Sequence, residues 1–471
     1  MAEYTTPGVY IENNPNKTVK DESTSASTGG FIGITQRGVL NKPVFITSWN
    51  AFINAFAYGM DSPFLRNSDL AYAVYGFFQN GGKRCYILRT AHASANKAAL
   101  TGIGLTAKEE GVWGNNIKVE IKTNDSLFDI IVYYKDKKVE SFLGVSSNDV
   151  ADILETSSSY ISASGGSVSL KAQTATSMSG GADGVEDIDD SDFTNALSKF
   201  DSVTDMGLLC IPGQTSVGVE TALIEYCKKR EDIFAILDAP EASDVDSVVT
   251  HKKNMTSEYG ALYFPWIKVS DPLSSVGKTK DCPPSGHMMG VYARTFAERG
   301  VWKVPAGTDA VVRGAVDIVR KNNVDLTNED VGTLNTAGIV AIIPKTNYGI
   351  VAWGAKVLSG STTMKYISDV LLDIYIKRNV NRDTQQFVFE PNNSATWLRL
   401  ATTVESFLDT LWRSGALHGD SASEAYYVKC DGELNTASVR SSGKIICEVG
   451  YASNKPAEFV VFRISHEVNS Y

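Results

Sequence analysis

Apolar residues recur along the chain with different periods, and the period changes from one region to the next. Within residues 31–90, short apolar runs flank one segment in which apolar side chains recur every three or four positions after Ser68-Asp69. A period near 3.6 predicts a helix, and short apolar runs bounded by turn residues predict buried strands. We therefore expect a compact unit of one helix and three strands, at residues 31–35, 44–49 and 85–90.

A second region, residues 95–185, has a different pattern. The segments IKVEIKT and FDIIVYY alternate apolar and polar residues and are followed by a charged KDKK turn. Residues 156–182 are dominated by Ser, Thr, Gly and Ala, which lack the bulk of core side chains. Strict alternation predicts half-buried strands, so this region should be a loop-rich β-domain, a sandwich or barrel, inserted between more regular parts.

From residue 193 onwards, buried strands alternate with helices. Such alternation predicts an α/β domain with a largely parallel sheet. The pattern places helices near 217–230 and 244–258. The predicted strands are 206–212, 233–240, 261–269, 338–344 and 349–355, of which the last two should pair with each other.

The C-terminal part contains the clearest amphipathic helices. One apolar stripe runs through residues 364–378, and a second helix should be capped by Asn392-Asn393-Ser394 and end near Gly415. Three strand-like segments follow, YYVKCD, KIICEVGY and EFVVFRIS. The helices and strands together predict a mixed α/β unit.

The first and last predicted strands have no obvious partner nearby in the sequence. The segment Val9–Ile11 is opened by Pro7-Gly8 and followed by the polar stretch 17–28, and the strand Phe459–Val468 has almost nothing after it. A single strand is not stable in water, because its backbone groups stay unpaired. Each terminal strand must pair either within its own domain or with another molecule, and the pattern alone leaves both alternatives open.

Composition narrows the classes of function. The chain has 471 residues, 43% hydrophobic and 21% charged, which is typical of a globular protein of two to four domains. Its formal net charge of −10 argues against nucleic-acid binding, because no basic surface is available to displace counterions from phosphates. No apolar run approaches 18 residues and the N-terminus lacks the pattern of a signal peptide, so we expect no membrane insertion and synthesis in a cytoplasm.

Potential metal sites are weak. The six cysteines and five histidines are scattered without ligand spacing, so the thiols should be buried and reduced. The acidic run VEDIDDSD, residues 185–192, lacks the order of a calcium loop and is better explained as a solvated linker and helix N-cap. We expect no cofactor and no metal.

Asp238, His251 and Ser285 follow the chain order of a subtilisin triad, which raises the possibility of a hydrolase. No G-x-S-x-G motif surrounds Ser285, His251 lies in a polar segment, and Asp238 lies where a strand ends before Pro240. The local chemistry of a nucleophile, a base and an orienting acid is therefore missing, and we expect no catalytic residues and no enzymatic activity.

Seven stretches in order resemble contractile-tail sheath proteins, the family found in bacteriophages with contractile tails and in phage-tail-like bacteriocins. The resemblance covers nearly the whole chain and is weakest between residues 95 and 190. The stretches are TPGVYIEN, GGFIGITQRGVLNKPVFITSWNAF, YAVYGFFQNGGKRCYILR, YFPWIKVSDP, PPSGHMMGVYARTFAERGVWKVPAG, RDTQQFVFEPNNSATWLRL and FVVFRISH.

The resemblance implies an α/β and α+β multidomain architecture. A mixed α/β inner domain would be built from N- and C-terminal parts, and a subtilisin-like α/β middle domain would lack catalytic residues. A β-sandwich-type outer domain would be inserted, and both termini would be extended arms. The implied boundaries are an N-terminal arm at 1–20, inner-domain residues 21–95, outer domain 96–187, subtilisin-like domain 188–355, inner C-terminal domain 356–456 and a C-terminal arm at 457–471.

The function implied by the resemblance is mechanical. Subunits would stack as hexameric rings into a helical sheath around a tail tube, and contraction would drive the tube through a bacterial envelope. The implied partners are further copies of the chain, the tail tube protein, and baseplate and tail terminator proteins, with no nucleic acid and no insertion into a membrane. The particle would be assembled in the cytoplasm of a bacterial host as part of a phage or a phage-tail-like particle.

The resemblance also favours one answer for the unpaired terminal strands. In the family, both arms add strands to a neighbouring subunit's sheet, where main-chain hydrogen bonds give strength and alternate side chains give register. The residues expected to take part in this inter-subunit strand exchange are Val9, Tyr10, Ile11, Phe459, Val460, Val461, Phe462 and Ile464.

Two alternative functions remain at this stage. A static, self-assembling surface or shell protein would also need strands that pair between molecules, but the absent signal peptide and the α/β-rich middle disfavour it. A hydrolase with a subtilisin-like fold is disfavoured by the missing motifs around Ser285.

Overall fold

The computed structural model describes residues 26–57, 61–164, 168–241 and 243–458. Most of the two predicted arms lies outside these ranges, so strand exchange stays a prediction. The strand-exchange residues outside the described part of the chain are Val9, Tyr10, Ile11, Phe459, Val460, Val461, Phe462 and Ile464.

The described residues form strands throughout the chain, numbered here in chain order. They are β1 Gly29–Gly33, β2 Val44–Ile46, β3 Cys85–Arg89, β4 Ala99–Leu100, β5 Leu105–Ala107, β6 Ile117–Asn124, β7 Leu127–Tyr134, β8 Lys137–Val145, β9 Ile161–Ala163, β10 Gln173–Ser177, β11 Leu208–Cys210, β12 Phe234–Asp238, β13 Gly260–Phe264, β14 Ile267–Ser270, β15 Thr279–Cys282, β16 Ala315–Ile318, β17 Ile339–Lys345, β18 Gly349–Trp353, β19 Tyr426–Lys429 and β20 Glu448–Tyr451.

The helices lie mainly in the first, middle and C-terminal parts. They are α1 Trp49–Phe56, α2 Leu70–Gln79, α3 Val150–Ser157, α4 Asp190–Leu197, α5 Val217–Arg230, α6 Val245–Lys252, α7 Ser285–Arg299, α8 Asn328–Ala337, α9 Ile367–Thr384, α10 Ser394–Arg413, α11 Ala422–Ala425 and α12 Ala437–Ser441. None of these described helices combines the length and the apolar character that a membrane span requires.

An eight-stranded sheet forms the centre of the described chain. Its strand order is β18-β17-β13-β12-β11-β1-β3-β2. The inner six strands run parallel, and β2 and β18 are antiparallel edge strands. Phe31 in β1 pairs with Cys210 on one side and Ile87 on the other. The prediction of an α/β unit with a largely parallel sheet is thus confirmed.

Both faces of this sheet are covered, as the continuous apolar strands require. Along β11, Leu208 and Cys210 face one core cluster, whereas Leu209 faces a second cluster on the opposite side. The first cluster includes α2, α7, α9 and α10, and the second includes α4, α5 and Val248 of α6. The sheet is therefore shielded from water by helices on both sides.

The large sheet joins segments that the domain prediction assigned to different units. Strands β1 to β3 come from residues 21–95, and β11 to β18 come from residues 188–355, yet they form one continuous sheet. The boundaries themselves stay a prediction, as does the subtilisin-like character of the middle part. What the structure establishes is a mixed α/β chain in several units.

Residues 98–178 form a separate unit with its own core. They contain the four-stranded antiparallel sheet β10-β6-β7-β8 and the small sheet β4-β5-β9. Ile117, Ile130 and Trp113 are fully buried in a cluster that shares no residue with the other two. The alternating strands predicted from IKVEIKT and FDIIVYY are confirmed as β6 and β7.

A buried arginine attaches this unit to the large sheet. The guanidinium of Arg37 lies 3.6 Å from the ring centroid of Trp113, donates to the carbonyl of Ser159 at 2.8 Å and is 3.8 Å from the carboxylate of Glu109. Arg37 is completely buried and Glu109 nearly so. A buried charge is tolerated only when it is paired and hydrogen-bonded, so these contacts fix the orientation of the unit.

Several element predictions are confirmed by local chemistry. Helix α5 has the predicted bounds, and Ser216 caps it by accepting from the Val219 amide. Asn393 caps α10 as expected, and the expected β17–β18 pair forms, with its strands antiparallel. The acidic run supplies the N-cap of α4, where Asp189 accepts from the Ser191 amide.

Three predicted boundaries are wrong. The single strand 261–269 is two strands in different sheets, because the chain turns at Pro265, which can donate no hydrogen bond to a ladder. The strand 44–49 ends at Ile46, because Ser48 caps a helix that begins at Trp49. Helix α6 ends at Lys252 rather than at residue 258. The backbone N–H of Lys253 donates to carbonyls of the last helical turn.

Candidate assembly interface

The structure brings two members of the considered triad together at the end of β12. Ser285, the first residue of α7, donates its hydroxyl to Asp238 Oδ2 at 2.6 Å and its backbone N–H to Oδ1 at 2.7 Å. The backbone N–H of Gly213 donates to the same carboxylate at 3.2 Å. Burial raises the pKa of Asp238 to about 7, and these hydrogen bonds oppose that rise. The carboxylate therefore holds the start of α7 against the sheet.

The third member, His251, is bound to a different acid. Its Nε2 lies 2.6 Å from Glu220 Oε2, and burial raises the pKa of that glutamate. A serine hydrolase needs the imidazole between acid and hydroxyl, but here the hydroxyl bonds the acid directly. Ser285 is also completely buried, so a substrate has no access to its oxygen. The Asp–His–Ser arrangement is thus not formed.

Two clefts of the described chain lie away from this cluster. Two open clefts of about 400 and 370 Å³ are lined by residues of the segment 294–313 and by Tyr375, and neither includes Asp238 or Ser285. Among the described residues, no group of three or more His, Cys, Asp or Glu side chains has the arrangement of metal ligands. The geometry does not assemble Asp238, His251 and Ser285 for a reaction.

A two-stranded sheet near the C-terminus is only partly buried. Strands β19 and β20 run antiparallel from Tyr426 opposite Tyr451 to Lys429 opposite Glu448. All four β19 residues are half-buried, and in β20 only Gly450 is buried. Two-stranded sheets are marginal in water, so this one depends on packing against α9, α10 and further chain.

The described C-terminal end lies beside the start of α9. Lys455 Nζ is 2.8 Å from the buried carboxylate of Asp369, and Ser453 donates to the same group at 3.0 Å. Glu458 accepts from Tyr366 at 3.4 Å and lies 3.9 Å from Lys356. These contacts anchor the chain up to residue 458 and set the point from which the predicted C-terminal arm departs.

Large apolar side chains are exposed at several separate places. Phe389, 87% exposed, has a backbone φ of +70° in the left-handed region that an aromatic residue rarely adopts. Leu398 on the neighbouring helix α10 is also exposed. Other exposed apolar residues of the described chain include Leu143, Val276, Val316, Val324 and Tyr348.

Sequence reasoning did not single out Phe389, although it lies in the quoted stretch RDTQQFVFEPNN. The available signal was an aromatic residue two positions before Pro391, which itself precedes the Asn393 cap of α10. An exposed apolar residue in a strained backbone position is a candidate contact with another molecule, because no described residue covers most of its surface.

The sequence matches two family models that follow each other along the chain. Residues 186–357 match the phage tail sheath protein central domain, and residues 359–467 match the phage tail sheath C-terminal domain. A putative prophage major tail sheath protein of Pseudomonas aeruginosa (strain UCBPP-PA14) is 26% identical over 267 residues. That match covers 55% of this chain and 64% of the relative, less than two thirds of its length.

The fold is similar to solved sheath structures over almost its full length. The similar chain in the baseplate of the anti-feeding prophage has a TM-score of 0.63 at 24% identity, covering 99% of this chain and 100% of that chain. The similar chain in the contracted sheath complex of PVC, an extracellular contractile injection system, has a TM-score of 0.62 at 22% identity, covering 99% of each chain. At this identity the likeness establishes the shared fold.

Proposed function

The chain belongs to the family of phage tail sheath proteins, and we propose that its copies stack as hexameric rings around a tail tube and contract to drive that tube through a bacterial envelope. The family is a structural one, of contractile sheaths in phage tails and related injection systems. The observation that carries the proposal is the consecutive match of the central and C-terminal sheath domains, which together reach from residue 186 to residue 467.

The proposed mechanism needs two arrangements of one subunit. Each copy would assemble in an extended, metastable sheath and then move as a rigid body into a contracted packing of lower free energy. The large sheet, which is covered on both faces, and the unit attached through the buried Arg37 support rigid-body motion. Small gains at each interface, summed over many copies, would supply the work without a nucleotide or cofactor.

We propose that the terminal arms connect the copies. Val9 to Ile11 and Phe459 to Ile464 would each add a strand to a neighbour's sheet, with residues 17–28 as a tether. Two features support this proposal: the half-buried β19–β20 sheet would gain stability from added strands, and the described chain is held beside α9 up to residue 458.

The proposed domain organisation follows the same boundaries as the sequence prediction. Residues 21–95 and 356–456 would form the inner domain, 96–187 the outer domain and 188–355 the subtilisin-like domain. The separate core of residues 98–178 supports an outer unit, whereas the sheet shared by β1 and β11 means that the inner and middle units would move together.

The proposed partners are the tail tube protein, the baseplate and the tail terminator, besides further copies of this chain. The similar chain of the anti-feeding prophage comes from a baseplate structure and that of PVC from a sheath complex, which supports self-assembly and contact with a baseplate. The particle would be built in the cytoplasm of a bacterial host. The net charge of −10 would contribute to electrostatic matching between subunits and tube.

Negative-stain electron microscopy of the purified full-length chain tests the proposal. We expect helical tubes built from six-fold rings. Deletion of residues 1–16 should leave a folded monomer that forms no tubes, because the strand that links neighbouring copies is gone. A matched control keeps residues 1–16 and scrambles the order of residues 17–25; it should still form tubes, since a tether depends on length rather than order.

The other two functions give different images. Flat sheets would support a static shell protein, and monodisperse particles at every concentration would contradict self-assembly. Tubes formed equally well by the deletion variant would leave the sheath function standing and overturn the role of the N-terminal arm.

A further inference from the structure

Two cysteines face each other at one end of the β19–β20 sheet. The last pair of the ladder is Lys429 opposite Glu448, so Cys430 and Cys447 occupy the next opposed position. Directly opposed residues of antiparallel strands have Cα atoms about 4.5–5.5 Å apart, which lies within the range that a disulfide spans. Both thiols are free and only partly buried.

A buried asparagine holds the backbones around the two thiols. Asn435 Nδ2 donates to the carbonyl of Ile446 at 2.9 Å and lies 3.8 Å from the sulfur of Cys430. The backbone N–H of Ile446 donates in return to Asn435 Oδ1 at 2.7 Å. Asn435 is 1% exposed. These contacts keep the segments before Cys447 and after Cys430 in register, beyond the end of the ladder itself.

The two thiols lie close enough to interact. Their interaction lowers the pKa of Cys430 and, together with burial, raises the pKa of Cys447. The nearby carboxylate of Asp431 opposes the lowering of the Cys430 pKa. Glu405 of α10 further raises the pKa of Cys447. Because the thiolate is the nucleophile in disulfide exchange, the amide of Asn435 directed at the Cys430 sulfur favours Cys430 as the attacking residue.

The other four cysteines lack these properties. All are completely buried, and desolvation raises the pKa of each thiol. They correspond to the sequence expectation of buried, reduced thiols, which the half-buried pair does not meet. The buried thiols are Cys85, Cys210, Cys227 and Cys282.

We propose that Cys430 and Cys447 form a reversible disulfide that locks the β19–β20 sheet when the protein meets a low-molecular-weight disulfide. The Cys430 thiolate attacks one sulfur of the small disulfide, and the second sulfur leaves as a thiolate and takes up a proton. The Cys447 thiolate then attacks the Cys430 sulfur of the mixed disulfide and releases the second small thiol. The protein loses two hydrogens as one S–S bond forms, and the small disulfide is reduced to two thiols.

The bond would close the loop 430–447, which includes α12. Closing a loop of this length removes conformations from the opened state and so makes separation of β19 from β20 rarer. A half-buried two-stranded sheet benefits more from such a link than a sheet already buried on both faces. Formation of this disulfide requires neither tubes nor contraction, so it is independent of the proposed function.

The test uses the full-length protein incubated with oxidised glutathione, after which free thiols are alkylated with N-ethylmaleimide. Trypsin digestion without reductant should give one cross-linked species that joins peptides 430–440 and 445–463, and dithiothreitol should release both. Hydrogen exchange of the β19 and β20 amides should slow by roughly ten- to hundredfold in the oxidised protein.

Matched variants separate the pair from the other thiols. Cys430→Ser and Cys447→Ser should each lose the cross-link and carry glutathione on the remaining thiol, whereas Cys227→Ala should retain the cross-link. The proposal is overturned if wild-type protein is alkylated at both Cys430 and Cys447 after oxidation, or carries glutathione on both without a cross-link. Unchanged hydrogen exchange in a cross-linked sample would overturn the locking of the sheet.

Discussion

The eight-stranded sheet and the β19–β20 sheet differ in how far their residues are buried. Every residue of β1, β12 and β13 is buried, and helices cover both faces of the eight-stranded sheet. In β19 no residue is fully buried, although the strand packs beside α10. The first sheet is stable through its own core, whereas the second depends on its neighbours.

This difference has a consequence for a protein that assembles. A sheet that is complete within the subunit can transmit force without rearranging, because its packing is dense and its strands are all paired. A marginal sheet is stabilised by whatever is added to it, either a strand from another copy or a covalent link between its own strands. Under the proposed strand exchange, the subunit would combine a rigid body with a site whose stability responds to assembly.

The largest expected effect tests how completely the large sheet excludes water. Burial raises the pKa of Asp238 to about 7 in the folded protein, whereas the unfolded carboxyl has the ordinary pKa near 4. Between these values the folded state binds more protons, so rising pH lowers stability. Relative to Asp238→Asn, the wild type should lose up to about 4 kcal/mol of unfolding free energy between pH 4 and pH 7. Urea denaturation of the unassembled subunit across this range measures the difference.

A second variant sharpens the assignment. The hydroxyl of Ser285 donates to Asp238 and lowers the pKa of that carboxyl, so Ser285→Ala should move the pH window upward. If wild type and Asp238→Asn show parallel pH profiles, the carboxyl is hydrated and the large sheet is less closed than described.

An intermediate effect tests the dependence of the small sheet on α10. Leu408 is completely buried in the cluster against which Val428 and Val449 pack. Leu408→Ala should cost about 3 kcal/mol, because it removes apolar contacts and leaves a cavity. Hydrogen exchange should become faster in β19 and β20 and remain unchanged in β6 to β8, whose core is separate.

The exposed Leu398 on the same helix provides the matched control. Leu398→Ala should leave exchange in β19 and β20 near the wild-type rate, since most of its side chain is already in water. Equal acceleration by both substitutions would contradict the role of the buried contact, because alanine is the stronger helix former and neither substitution weakens α10 through helix propensity.

The smallest expected effect concerns the connection between α9 and α10. Phe389 has a φ of +70°, a conformation that costs a residue with a Cβ about 1–2 kcal/mol and that asparagine tolerates better. Phe389→Asn should therefore stabilise the free subunit by up to about 1 kcal/mol, and Phe389→Val should destabilise it. Thermal unfolding of the unassembled protein measures both.

Assembly should respond in the opposite direction. If the exposed ring contacts another molecule, Phe389→Asn will slow the formation of tubes while raising the melting temperature. Unimpaired assembly with raised stability would show that the strained position has no such role.

Local chemistry allowed the sequence to predict many elements. The bounds of α5, the Asn393 cap of α10, the Asp189 cap of α4 and the β17–β18 pairing depend on residues close together in sequence, and all four are confirmed. Predictions failed where one residue decides between continuations. Pro265 divides an apolar run into two strands, and Ser48 turns the end of another run into a helix.

The candidate site was predictable only in part. The chain order of Asp238, His251 and Ser285 suggested a triad, but their partners depend on where α5, α6 and α7 pack against the sheet. The opposition of Cys430 and Cys447 likewise depends on the register of two strands separated by a loop. Scattered cysteines in a sequence do not reveal which two of them face each other.

Neighbouring residues and recognisable stretches were sufficient to predict the alternation of strands and helices, the helix caps, the absence of a triad motif and the family resemblance. The fold was needed to show that β1 to β3 join β11 to β18 in one sheet and that His251 pairs with Glu220. It also decided that two thiols lie opposite each other. These features come from contacts between distant residues, and such contacts form only when the burial of apolar surface brings separate segments of the chain together.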